Sequence, residues 1–279
     1  MTRVAFKISV GLVTGALILV AISLYMSNYY LKEQVRLAQA GDLPSARIDA
    51  ERAALLDPFN PAPPTSMAYL ELRQGRAEVA AEDLREAIQR DPANYKNYVE
   101  LGNLQRQQLA DPKAAAESYR EGLRHNPHDT TLVSRLAEAL LSTGDLEGAK
   151  AQYEYLQELG RIPVEGLYTL GKIQVRLGYP TEGISIFKAA QRMADRELGS
   201  GSLNEQQKTQ RKALIESLDL SIADALVVRS SQAGREYQDI AAAREVLSQS
   251  SAEQASSILA LLDEDPESYR KSVLDAPIR

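Results

Sequence analysis

Residues 75–92 read GRAEVAAEDLREAIQRDP, and this arrangement of small, bulky and turn residues recurs along the chain about every 34 residues. A small residue occupies five equivalent positions spaced 34, 35, 34 and 34 residues apart. Self-similarity at a period of this length is the sequence signature of a repeat architecture. The recurring residues are Ala46, Ala80, Ala115, Ala149 and Gly183, with Gly41, Gly75, Gly144 and Gly178 before them and Pro58, Pro92 and Pro127 after them.

Each unit is predicted to be a pair of antiparallel helices. Small residues such as Ala80 allow two helices to approach closely, and Gly75 suits the turn between them. Pro92 ends the second helix, because a proline restricts the residue before it to extended conformations. One such pair cannot bury its apolar face alone, so the units are predicted to stack into an all-α solenoid.

The pattern resembles the tetratricopeptide repeat family. The residues that match the first half of its motif are Tyr98, Leu101 and Gly102, and again Leu167, Leu170 and Gly171, while Gly75, Ala80, Leu84, Ala87 and Pro92 match its second half. The resemblance covers residues 27–197 as five units, although the fourth and fifth lack the terminal proline. The units are 27–60, 61–94, 95–129, 130–163 and 164–197.

A charge-free segment precedes the repeats. Residues 8–26 read ISVGLVTGALILVAISLYM, and no charged residue lies between Lys7 and Lys32. As a helix, this segment would extend about 28 Å, close to the hydrocarbon thickness of a bilayer, so it is predicted to cross a membrane. It continues into the first unit without a break residue and is expected to remain helical to about Gln39. A cleaved signal peptide ending near Ser23 is the alternative, although the apolar run is longer than such peptides usually carry.

The orientation in the membrane follows from the flanking charges. Arg3 and Lys7 lie in a short basic tail, residues 1–7, and Lys32 and Arg36 lie soon after the apolar segment. The numbers of Lys and Arg on the two sides of the segment are nearly equal. The basic tail with its terminal amine favours a cytoplasmic N-terminus. The chain is therefore expected to be a single-pass protein of a bacterial plasma (inner) membrane with an extracytoplasmic soluble part.

The last third of the chain departs from the repeat. Residues 198–203, LGSGSL, have the composition of a flexible linker. Residues 204–279 are predicted to form a degenerate sixth hairpin with a long first helix, followed by capping helices, since solenoids need atypical ends. An independent functional domain in this region is the alternative.

Composition excludes several classes of chemistry. The absence of Cys removes disulfide scaffolds, thiolate metal sites and cysteine nucleophiles. A net charge of −6 argues against a nucleic-acid partner. His125 and His128 flank Pro127 in a predicted loop, and without a third ligand they are interpreted as solvated residues rather than as a metal site. No phosphate-binding loop, nucleophile elbow or HExxH motif is present, so neither an enzyme nor a cofactor is predicted.

The family resemblance implies that the first helix of each unit lines a concave groove. Seven of the inward positions are basic and three are acidic, so the groove is predicted to carry a charge of about +4 in an acidic chain. Such a surface suits an acidic peptide or a C-terminal carboxylate, and ordinary balanced surface charges are the alternative. The candidate partner-binding residues are Tyr69, Arg73, Lys96, Asn103, Arg106, Arg135, Tyr168, Lys172 and Arg176.

These features predict a membrane-anchored scaffold or adaptor that binds a protein partner in its groove to support a membrane-associated complex. An extracytoplasmic chaperone or assembly factor beside a secretion or cytochrome-maturation machine is the second hypothesis. The third is an enzyme within residues 204–279, which would require a cleft with convergent polar groups. The family's dicarboxylate clamp needs Lys and Asn in the first unit, where this chain has Leu31 and Val35, so that specific clamp is not expected.

Overall fold

The computed structural model describes residues 2–232 and 234–278, with side chains from Leu12 onward. Met1 of the predicted basic tail lies outside the described residues. The regular elements in the described part are all α-helices, which confirms the predicted all-α class. They form two compact units, one ending at Leu132 and the other beginning at Val133.

The first unit is a stack of helical hairpins. Its helices are α1 (Thr2–Gln39), α2 (Leu43–Leu56), α3 (Ala62–Arg73), α4 (Ala77–Arg90), α5 (Tyr95–Gln107) and α6 (Pro112–His125). The pairs α1–α2, α3–α4 and α5–α6 pack as hairpins, and α2 packs on α3 as α4 packs on α5. This stacking of consecutive hairpins is the solenoid arrangement that the repeat predicted.

The first helix is unusually long for a repeat. It is continuous over 38 residues, as expected from an apolar run that enters the first unit without a break. From Leu12 to Gln39 it has the length and composition to cross a membrane, properties that an N-terminal signal sequence shares. Its described side chains up to Tyr25 are exposed except for the half-buried Ser23, and burial begins at Ser27, which is fully buried.

A buried ion pair links the hairpins of the first unit. Glu71 of α3 is fully buried and pairs with Arg47 of α2 and with Arg76, which precedes α4. A carboxylate removed from water is stable only when such partners compensate its charge. Glu71 therefore fixes α3 against α2 and against the turn into α4, a role that the repeat pattern did not predict.

The second unit contains most of α7 and the rest of the described chain. Its helices are α7 (Thr130–Ser142), α8 (Leu146–Glu158), α9 (Val164–Arg176), α10 (Pro180–Gly199), α11 (Glu205–Ser230), α12 (Glu236–Gln249), α13 (Ala255–Glu264) and α14 (Pro266–Asp275). Each helix from α9 to α14 packs on the one before it, and α11 also contacts α9 and α14. The last helix, α14, thus folds back onto α11, the long helix that follows the repeats.

The break between α10 and α11 is shorter than the composition of residues 198–203 predicted. α10 continues to Gly199, since Ala190 and Ala194 are fully buried and hold its C-terminal half against its neighbours. Asn204 then starts α11 with a capping box, in which its side chain accepts from the Gln207 N–H and Gln207 reaches back to the Asn204 N–H.

Candidate binding surface on the first helices of the repeats

In the first unit, the predicted residues lie on α3 and α5, which the structure brings side by side. Tyr69 of α3 is hydrogen-bonded to Glu100 of α5, and partial burial together with this carboxylate raises the pKa of the Tyr69 hydroxyl. Its side chain is nonetheless 49% exposed. Lys96 shares the face of Glu100 at a spacing of four residues, and Arg106 lies half-buried further along α5. The two helices therefore present a mixed polar surface with an aromatic side chain at its centre.

Arg73 has an internal partner. Its Nη1 donates to the carbonyl oxygen of Ala38, in the last turn of α1, at 2.6 Å. A cation at that place satisfies a backbone carbonyl that the helix end leaves without an intrahelical donor. Arg73 consequently connects α3 to the end of α1, in addition to its predicted place on the binding surface.

Asn103 of α5 is hydrogen-bonded to the buried Tyr119 of α6, the other helix of its hairpin. Its Oδ1 accepts a hydrogen bond of 2.9 Å from the hydroxyl of Tyr119, a side chain of α6 that is fully buried. Tyr119 reaches this position because its ring passes over Gly102, where an added Cβ would lie only 2.7 Å from the Tyr119 Cδ1 atom. The orientation of Asn103 is thus set by the small and bulky pair that defines the repeat.

In the second unit, Tyr168 and Lys172 form one cluster on α9. The Lys172 Nζ lies 4.9 Å from the centroid of the Tyr168 ring, within the range of a cation–π interaction. The Tyr168 ring is tilted on Phe187 of α10, with centroids 6.1 Å apart. Arg135, the remaining predicted residue of this unit, lies half-buried on α7.

The acidic residue Glu165 at the start of α9 is paired across the helices. Arg211 of α11 donates to Glu165 at 2.8 Å and also pairs with Glu197 of α10 at 2.7 Å. Arg211 adds positive charge beside α9. The predicted groove charge did not count this residue, because α11 lies outside the five repeat units.

The chain's own C-terminal segment lies over α9 at Arg176. The Arg176 Nη2 donates to the carbonyl oxygens of Ala276 and Val273, the latter at 3.4 Å. A cavity of about 100 Å³ separates α9 and Phe187 from this segment, which contributes Val273, Leu274, Pro277 and Ile278 to its walls. Arg176, predicted as a partner-binding residue, is therefore already engaged with a helix end and the extended residues after it.

A second polar contact holds the same segment. The Tyr269 hydroxyl of α14 donates to the Asp224 Oδ1 of α11 at 2.6 Å. Burial raises the pKa of the Asp224 carboxyl to about 6, an effect that the Tyr269 hydrogen bond and the charge of Lys172 oppose. Burial and the neighbouring carboxylate likewise raise the pKa of Tyr269. Sequence reasoning missed Asp224, because it lies outside the placed repeats and carries no motif.

One of the two histidines makes an aromatic contact. The His125 ring stacks on Tyr98, with centroids 5.5 Å apart. Within residues 2–232 and 234–278, no group of three or more His, Cys, Asp or Glu side chains is placed to hold a metal ion.

Comparison with known proteins supports the repeat assignment. Residues 107–158 match a family model described as Tetratricopeptide repeat. Tetratricopeptide repeat protein 21B of Xenopus laevis is 28% identical over 138 residues, which cover 46% of this chain and 10% of that protein. The chain therefore spans about a tenth of the length of this curated relative.

Solved structures share the fold at low sequence identity. A crystal structure of MamA protein is 17% identical, with a TM-score of 0.55 over 64% of this chain and 97% of that chain. MamA of Desulfovibrio magneticus RS-1 is 16% identical, with a TM-score of 0.51 over 62% and 96%. The family match over residues 107–158 and the stacked hairpins agree with the tetratricopeptide-like repeat spacing of the sequence.

Proposed function

We propose that this protein is a membrane-anchored tetratricopeptide repeat scaffold that binds a protein or acidic peptide partner on the first helices of its repeats. The proposed partner-binding residues lie on α3 and α5 in the first unit and, as a separate set, on α7 and α9 in the second. Its cations suit carboxylates, and its aromatic side chains supply apolar contact area. Neither a metal nor a nucleic acid is part of the proposal.

The observation that carries this proposal is that α9 already binds the chain's own C-terminal segment. Arg176 of α9 donates hydrogen bonds to backbone carbonyls of a short helix and its tail. Nearby Asp224 accepts a hydrogen bond from the Tyr269 hydroxyl of the same helix. This is the chemistry of peptide recognition, in which main-chain groups supply affinity and side-chain pockets supply selectivity. An acidic partner would add carboxylates for Lys172 and Arg176.

The apolar surface of α1 supports the membrane part of the proposal. Leu12, Leu17 and Leu19 are 71%, 64% and 69% exposed, and only 6% of the apolar window of this helix is buried within the protein. A helix that is apolar on all sides and uncovered by its own chain is suited to lipid. In this proposal the helix is retained as a single-pass anchor, and the soluble part is extracytoplasmic.

Charge reversal on the proposed surface tests the binding function. In the full-length protein, Arg106→Glu, Arg135→Glu and Lys172→Glu together should reduce capture of a cross-linked membrane partner by about tenfold or more, because attraction for acidic groups becomes repulsion. The measurement is quantitative mass spectrometry of partners recovered from detergent extracts.

The matched control makes the same charge change on second helices of the repeats. Arg85→Glu, Lys113→Glu and Lys188→Glu replace exposed residues of α4, α6 and α10, and capture should be retained. Equal recovery by both triple variants would contradict the assigned surface. Recovery of many unrelated unfolded proteins at low stoichiometry would instead favour the assembly-factor alternative.

A further inference from the structure

The turn between α2 and α3 lies beside the charge-free part of α1. The Ser23 hydroxyl of α1 donates to the carbonyl oxygen of Leu56, the last residue of α2, at 2.6 Å. One helical turn further on, the Ser27 hydroxyl donates to the Ala53 carbonyl at 3.0 Å. Ser23 precedes Met26, the end of the predicted membrane segment, by three residues, which is about 4.5 Å along a helix. The end of α2 therefore reaches the level of the apolar run.

The antiparallel pairing of α1 and α2 explains why the end of α2 lies beside the apolar run. α1 leaves the apolar run in its N-to-C direction, so α2 returns toward that run and the turn after it points the same way. Arg90 of α4 donates to the Asn60 carbonyl at 3.0 Å and holds the turn from the other side. Pro58 and Pro61 restrict the backbone of the turn as well. The turn is thus held in place rather than left loose.

Two large apolar side chains at this end are uncovered. Leu55 is 82% exposed and Phe59 is 84% exposed, values above those of the lipid-facing side chains Leu12 and Leu19 at 71% and 69%. Removing such a side chain from water is favourable. Single exposed apolar residues are common on proteins, but these two occur together at the one level where α1 enters the apolar run.

The neighbouring residues have the character of a membrane interface. Tyr25 and Tyr29 of α1 are 71% and 51% exposed near this level, where aromatic side chains concentrate at bilayer surfaces. The Arg52 guanidinium of α2 lies 5.5 Å from the centroid of the Tyr30 ring. A bilayer at this level would need to keep the charged Asp57 and Arg52 in its polar headgroup layer, so that only the apolar side chains enter deeper.

We propose that the α2–α3 turn is a second membrane contact, in which Leu55 and Phe59 insert into the headgroup region of the bilayer that α1 crosses. This inference rests on the proposed anchor role of α1. The occupant of the surface is the lipid bilayer, because the exposed apolar side chains continue the lipid-facing surface of α1. Contact at two places restricts how the first hairpin can tilt on the membrane, which a single helix crossing does not.

The absence of Trp from the chain permits a specific test. Phe59→Trp places the one Trp of the variant on the turn, at an exposed site, and excitation at long wavelength separates its emission from that of the tyrosines. The full-length variant is reconstituted into phosphatidylcholine vesicles with and without brominated acyl chains. We expect emission shifted to shorter wavelength than in denaturant, quenching by the brominated lipid, and protection from acrylamide.

Tyr69→Trp is the matched control in the same unit. Tyr69 is also exposed, and the next turn of α3 contacts Ala38 through Arg73, about 22 Å along α1 from Ser23. Its fluorescence should be insensitive to brominated lipid. Quenching restricted to position 59 supports the proposal.

Two results would overturn the inference in different ways. If the protein floats with the vesicles but Trp at position 59 is unquenched and accessible to acrylamide, the turn does not contact lipid although α1 is an anchor. If the protein does not float with the vesicles at all, the anchor itself is wrong and the second contact with it.

Discussion

At the scale of single residues, the hairpins depend on how one small and one large side chain share the space between two helices. Gly102 faces the ring of Tyr119, and Gly171 faces the ring of Phe187. In the first hairpin the sizes are exchanged. The larger Gln34 stands at the position of Gly102, the small Ala50 stands at the position of Tyr119, and both are buried. The repeat therefore requires a constant combined volume more than a particular residue at either position.

Gly171→Ala is expected to destabilise the second unit. An added Cβ would lie 2.6 Å from the Phe187 Cδ1 atom, so α9 and α10 would have to separate or the ring would have to leave its rotamer. We expect the free energy of unfolding to fall by about 1–3 kcal/mol. Urea denaturation of the detergent-solubilised full chain, followed by circular dichroism, measures the change.

Gly199→Ala is the control for that substitution. Gly199 is the last residue of α10 and has no neighbouring atom within 4 Å of an added Cβ. The change should be neutral or slightly stabilising, because alanine reduces the freedom of the unfolded chain. Equal losses at the two positions would show that steric conflict with Phe187 is not the cause.

Asp83 of α4 should make stability depend on pH. Burial raises the pKa of its carboxyl to about 6 from a usual value of 3.8, which the charge of Arg47 only partly offsets. The folded state thus holds this proton more tightly than the unfolded state, and the free energy of unfolding should fall as pH rises from about 4 to 6. The expected loss is about 1 kcal/mol once solvent screening of this half-exposed group is considered.

Asp83→Asn should remove that part of the pH dependence and stabilise the protein at pH 7. Urea midpoints of the variant and the parent protein at pH 4, 5, 6 and 7 provide the comparison. A variant that retains the full slope between pH 4 and 6 would place the responsible group elsewhere.

At the scale of elements, α14 is the helix most easily released from its unit. None of its residues is fully buried, although Tyr269 and the carbonyls of Val273 and Ala276 are hydrogen-bonded to neighbours. Elements with few buried apolar contacts open at lower free-energy cost than the core. If partners bind α9 as proposed, this segment competes with them.

Loosening α14 should therefore increase binding at α9. In the full-length protein, Val273→Asp with Leu274→Asp should speed hydrogen exchange across residues 266–275. The same variant should bind a synthetic peptide of residues 266–278 about tenfold more tightly, since affinity scales with the fraction of protein whose site is open. Fluorescence anisotropy of the labelled peptide measures the affinity.

Ser272→Asp introduces negative charge at an exposed position of the same helix and should leave peptide affinity nearly unchanged. Similar affinity for the parent protein and the double variant would mean that the C-terminal segment does not obstruct the site.

At the scale of the whole molecule, the membrane topology of the proposed scaffold would decide which compartment supplies its partner. The chain has no Cys, so Tyr237→Cys provides a single thiol at a side chain that is 92% exposed. A membrane-impermeant maleimide should label it in intact spheroplasts if the soluble part is extracytoplasmic. Labelling only after lysis would reverse the predicted orientation.

Leu19→Cys is the control for the anchor. This position lies in the apolar run of α1, where lipid should exclude the reagent before and after lysis until detergent is added. Reaction at position 19 in intact membranes would contradict a membrane-spanning α1.

The amino-acid sequence by itself determined the features that repeat or that are uniform along one element. Ala80, Leu84 and Gly102 contact partners at short, regular separations, so the period of 34 residues predicts paired helices and the all-α fold. The charge-free run predicts that α1 continues to Gln39, because no residue within it favours a break. The same register placed Tyr69 on a first helix, where the structure brings it against Glu100.

Only the tertiary structure decided contacts that fall outside the period. Arg176 meets carbonyls 97 and 100 residues further along the chain, and Asp224 meets Tyr269 across 45 residues. Such pairs depend on where several helices end and fold back, which packing determines and local pattern does not encode. Packing also decides that Phe59 lies beside the apolar run of α1, because this position depends on how far α2 returns along α1.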